Sequence, residues 1–132
     1  MRLAALPLLL VVAAPAFAAD QFDLACQGTR TAQRGGTAEP ASFRVHVDLA
    51  AQKWCEDACA TVQSLVSATD DTLVFADDVT LNTRLDLVRE VTFDRKTGAF
   101  SHHFSQFRPT DEYLGIKAQC TTEAFTPFPA SE

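Results

Sequence analysis

Apolar and polar residues alternate with period two along much of this sequence, and no stretch carries the 3.6-residue period of an amphipathic helix. In "FRVHVDL", Phe43, Val45, Val47 and Leu49 point one way and Arg44, His46 and Asp48 the other, as in a strand with one wet face. "VTLNTRLDL" repeats the pattern. Val79, Leu81, Leu85 and Leu87 are expected inward, against Thr80, Asn82, Arg84 and Asp86. "EVTFD" adds Val91 and Phe93. "FDRKTGAF" then reads as a hairpin, because Asp94 can bond the turn backbone and Gly98 can take the left-handed conformation that closes it. The returning "AFSHHFSQF" puts Phe100, His102 and Phe104 on one face. "QFDLACQG", "ATVQSLVS", "TLVFA" and "IKAQCTT" are weaker strand candidates.

Asp70-Asp71 and Asp77-Asp78 read as turns, since neither has the ligand spacing and central glycine of a calcium loop. Thr29 to Ala41 is a polar, glycine-containing connection. The Pro-broken tail from Phe125 onward is expected to be irregular, with Phe125 and Phe128 packing back on the body. The expected fold is all-β: a single small antiparallel domain of seven to eight strands, closed as a barrel or folded as a sandwich.

Residues 1–18 have the form of a signal peptide, with Arg2, an apolar run and Ala16-Phe17-Ala18 before the expected cleavage point. The domain is then residues 19–132. The leader run is too short to span a bilayer, and no later run matches it. Asp23-Leu24-Ala25 before Cys26 is not a lipobox. A periplasmic or extracellular protein is expected. Without the leader, ten basic residues face seventeen acidic ones, a net charge of −7. That balance speaks against nucleic acid and anionic membranes as partners.

Four cysteines in a small exported domain point to two disulfides. Of three connectivities, Cys26–Cys120 with Cys55–Cys59 is preferred. Cys26 sits on the first strand candidate and Cys120 on the last, and these are neighbours in a closed sheet. Cys55–Cys59 would fix one turn. That turn, "WCEDAC", resembles the thioredoxin motif in its Trp-Cys pair, but three residues separate the cysteines and Glu56-Asp57 disfavours a thiolate. A thiol-disulfide or metal-handling protein centred on Cys55 and Cys59 is the alternative reading, and a four-cysteine zinc site is compatible with the spacing.

His102 and His103 face opposite sides of their strand and cannot share an ion. The histidines are expected at the surface or rim, with His102, on the face of Phe100 and Phe104, partly buried. No nucleophile elbow, phosphate loop or zinc-protease helix occurs. No catalytic, metal or cofactor-binding residue is assigned, and no cofactor is expected. The leading expectation is a non-enzymatic module that binds a protein or a small ligand. The Phe side chains at 43, 75, 93, 100 and 104 are expected to fill the core rather than line a cavity. Recognition then falls to the loop Gln106 to Gly115, with Arg108, Asp111 and Tyr113 as candidate binding residues.

The order "FDLxCxG", "RVxVDL", "WCxxxC", "DRxTG", a late Cys and "FTPFP" resembles small, uncharacterised exported bacterial all-β proteins. The resemblance implies no activity. In architecture alone the pattern is also similar to bacterial periplasmic lysozyme inhibitors. Their Ser-Gly and Tyr/Lys loop signature is missing here, so no function or residue carries over.

Overall fold

The computed structural model describes residues 20–130. The expected leader lies outside the described residues. Nine strands follow one another: β1 Gln21–Thr31, β2 Glu39–Asp48, β3 Lys53–Glu56, β4 Gln63–Ser64, β5 Ser67–Ala68, β6 Thr72–Leu81, β7 Asp86–Asp94, β8 Ala99–Arg108 and β9 Glu112–Glu123. They form one antiparallel sheet in the order β4-β3-β2-β1-β9-β8-β7-β6-β5. The sheet curls into a half-barrel and is not a sandwich of two sheets.

The first and last strands pair in the middle of the sheet, with Cys26 directly opposite Cys120. These two are bonded across a sequence separation of 94. The sheet edges, β4 and β5, are brought together by the curl. Between them Leu65 donates its backbone N–H to Gln52 and Val66 donates to Val74. Chain continuity at this point replaces a β4–β5 ladder.

The concave side holds the core. Leu24, Val45, Val47, Trp54, Leu73 and Val91 are fully buried. Trp54 on β3 meets Phe75 on β6 at 4.9 Å between ring centroids, and its indole N–H donates to the Phe75 carbonyl at 3.2 Å. Phe100 touches both Phe43 and Phe75. Phe75, Phe93 and Phe100 are buried, while Phe43 and Phe104 are only half-buried. Each fully buried side chain of this size contributes roughly 1.5–3 kcal/mol by leaving water.

Three expectations fail at β6. The strand carries a bulge between Val74 and Ala76, where Phe75 and Ala76 are buried in succession. One extra residue exchanges the faces of everything after it. Asp78 therefore shares the face of Arg89 opposite it, while remaining exposed, and Val79 and Leu81 turn to the other side, 59% and 66% exposed. Asp77-Asp78 is accordingly strand, not turn. "VTLNTRLDL" is also two strands rather than one. The Asn82 side chain accepts the backbone N–H groups of Arg84 and Leu85 and reverses the chain there.

Candidate functional site

Three places bring chemistry-bearing side chains together. The first is the convex face of β1, β2 and β3, where Asp23, His46 and Cys55 lie in one row across the strands. All three are buried, although they sit on the nominally wet face. The tail after β9 crosses this face. Thr126 donates its backbone N–H and its hydroxyl to Asp23, at 3.0 and 2.7 Å. One His46 ring nitrogen lies 2.8 Å from Asp23 and the other 2.8 Å from the Asp57 carbonyl. Burial alone would raise the Asp23 carboxyl. The bonds from Thr126 and His46 outweigh it and hold the group below the ordinary aspartate value.

The cysteine turn is built beside this row. Cys59 donates its N–H to Glu56, and Asp57 exchanges bonds with Arg44 on β2. Asp57 and Cys59 both take positive φ, at 48° and 56°. Cys55 and Cys59 are bonded to each other, and there is no free cysteine among the described residues. Cys55 is fully buried. Both His46 nitrogens are already engaged, so His46 is not placed as a base for sulfur.

The second place is the concave face toward the β8–β9 turn, where the interior becomes polar. Arg89 spans from β7 to Gln63 on β4, with both terminal nitrogens near the Gln63 oxygen. Arg30 and Arg89 both act electrostatically on Glu56 and on His102. Burial first, then the Asp57 charge, raises the Glu56 carboxyl. His102 is buried and its Nδ1 has no hydrogen-bond partner. Burial first, then the Arg89, Arg30 and His103 charges, lowers this imidazole to about 4. The expectation of a surface histidine is thus overturned for His46, while His102 is buried on the face of Phe100 and Phe104 as expected. His46 is held under the tail, and His102 sits inside the curl.

The third place is the convex face at the β8–β9 turn. Here Arg34, from the β1–β2 connection, lies over Phe107 at 3.8 Å from the ring centroid and 5.6 Å from that of Tyr113. Its guanidinium bonds Asp111 and the Ser105 hydroxyl. Tyr113 also meets His103 edge-on. Phe107 is 57% exposed. Val79 and Val88 are opposite each other in the ladder, as are Val88 and Ser105, and Ser105 and Tyr113. A continuous row with aromatic and apolar members thus crosses four strands. Of the residues expected from the sequence, Asp111 and Tyr113 belong to this cluster. Arg108 lies 3.5 Å from Asp86 and is tied to the β6–β7 side instead.

Arg34 is not legible in the sequence as a site residue, and Phe107 lies within Gln106 to Gly115 without standing out there. The inward set Phe100, His102, Phe104 and Gln106 puts Phe107 outside, and a lone aromatic on a wet face was the available signal. For Arg34 there was none, because a loop residue must cross to a strand some seventy positions away.

Among the described residues no group of three or more His, Cys, Asp or Glu side chains is placed to hold a metal ion. No helix among them is long and apolar enough to cross a membrane. No known family model, curated protein or solved structure matches the chain.

Proposed function

We propose that the chain is an exported, non-enzymatic domain that binds a protein through the convex face around Arg34, Phe107 and Tyr113. The observation that carries this reading is the fixed guanidinium. Arg34 is stacked on Phe107 and bonded to Asp111 and Ser105, so little rotamer entropy is left to lose on contact. Arginine and tyrosine are the residue types that dominate binding hot spots, and exposed Val79 and Leu81 extend the apolar surface beside them. Two formed disulfides suggest an oxidising, non-cytoplasmic compartment. The leader-like residues 1–18 support the periplasm or the exterior as the place of action.

The test is a photo-reactive benzoylphenylalanine at position 107, expressed in the native host and irradiated. A protein adduct of one defined mass is expected, and the same label at exposed Ala50 is expected to give none. In pull-down with that partner, Arg34→Ala is expected to weaken binding about 30-fold, the scale of a hot-spot truncation. Equal labelling from positions 107 and 50 would overturn the reading.

A further inference from the structure

The second half of β6 is an open sheet edge. β5 covers this strand only at Leu73 and Val74. Val74 also accepts the N–H of Val66, and the Phe75 carbonyl accepts the Trp54 indole. Over residues 77–81, β6 pairs with β7 on one side and makes no backbone hydrogen bond on the other among the described residues. Alternate residues of this stretch therefore present both N–H and C=O to the free side.

Bare edges are commonly guarded by a lysine, a proline, a bulge or very short length. β4 and β5 are two residues each, and β2 carries Pro40 in the part that β3 does not reach. Residues 77–81 contain no lysine and no proline, and the β6 bulge comes before them.

The side chains say what fits. Asp77, Val79 and Leu81 share the convex face, and all three are exposed. Asp77 lies directly opposite Glu90 on β7, and neither carboxylate has an ion-pair partner among the described residues. Like charges directly opposite in a ladder destabilise it. Two cations occur on β6, β7 and their turn. Arg89 is on the other face, bonded to Gln63, and Arg84 lies past Leu81. From β8, His103 stands opposite Glu90 without an ion pair. A second copy of the chain would bring the same acids and the same net negative charge, whereas a basic residue would relieve the Asp77–Glu90 pair. We infer that this edge takes an extended segment of a partner protein as an added strand, with a lysine or arginine beside Asp77 and apolar residues beside Val79 and Leu81. Main-chain bonds hold the segment and its alternating side chains select it. In the antiparallel sense the segment reads apolar-x-apolar-x-basic. The edge lies two strands from Phe107 on β8. A label at position 107 reports the Arg34 cluster and not this edge, so either reading can fail alone.

The test is titration of the folded chain with the capped peptide Thr-Leu-Thr-Val-Thr-Lys-Thr, followed by backbone amide shifts. Shifts are expected at residues 77–81. The same peptide with glutamate for lysine is expected to bind about tenfold more weakly, and Asp77→Lys is expected to reverse that preference. Only alternate residues of a strand bond to one edge. N-methylation of the Leu, Val and Lys positions, or of the threonines between them, is therefore expected to abolish binding in one set and spare it in the other. Equal affinity for the lysine and glutamate peptides, shifts confined to other residues, binding that survives both methylations, or no binding at millimolar peptide would each overturn the inference.

Discussion

Replacing Cys26 and Cys120 together by alanine is expected to lower the unfolding free energy by about 4–5 kcal/mol, read from urea denaturation at pH 7. The bond links the first strand to the last, 94 positions apart, at a point where the two lie side by side. Without it the unfolded chain regains the entropy of a loop spanning most of the described residues. Both cysteines are also buried in the core, so the substitution removes packing as well. Small domains have only about 5–15 kcal/mol to lose, and a large unfolded fraction at 37 °C is the expected consequence. The corresponding loss for Cys55→Ala with Cys59→Ala is about 2 kcal/mol in the same chain-entropy account, because that loop is so short. The order of the two effects is the test. Equal losses, or a larger loss from the short loop, would contradict the role given to the β1–β9 bond.

The second large effect is a pH dependence set by His102. Its imidazole is lowered from 6.5 to about 4 in the folded chain, by burial first and then by Arg89, Arg30 and His103. Between these values the unfolded chain binds the proton and the folded one does not. Stability therefore falls as pH is lowered from about 6.5 to about 4, by on the order of 3 kcal/mol over the full window. His102→Gln does not titrate there and is expected to flatten that part of the profile. Glu56, whose carboxyl is raised, pulls the other way, since its folded form holds the proton more tightly than the unfolded one. The difference between the native and His102→Gln profiles isolates the histidine. Asp23, Asp48 and Asp94 are all lowered by hydrogen bonds and lose their contributions only below the window, as pH falls through their folded values. A profile unchanged by His102→Gln would contradict the buried, unpartnered placement of the ring.

Alternation carried most of the fold into view. The inward faces of β2, β7 and β8 follow from the even spacing of Phe43, Val45 and Val47, of Val91 and Phe93, and of Phe100 and His102. The β7–β8 turn follows from Asp94 and Gly98, and the latter does take a positive φ. The β6 bulge was not legible, because no Gly or Pro marks Phe75-Ala76. The Asp23–His46 pair was hidden for a different reason. Both residues lie on the wet face of their strands, and the tail that buries them returns 103 positions later at Thr126. The candidate face was half legible. Asp111 and Tyr113 were in view, while Arg34, which organises them, arrives from another loop.

"WCEDAC" invites an active-site reading, and the central claim is that it is a structural clamp on one turn. Cys55 is buried, its neighbours Glu56 and Asp57 are acidic, and His46 is occupied by Asp23 and the Asp57 carbonyl. The most direct measurement is alkylation of the native protein from its own host, read by intact mass with and without a mild thiol reductant at neutral pH. The account predicts no alkylated cysteine in either case until the chain is unfolded. Rapid reduction of Cys55–Cys59 in the folded protein, exposing a cysteine that alkylates well below the usual thiol pKa, would contradict it.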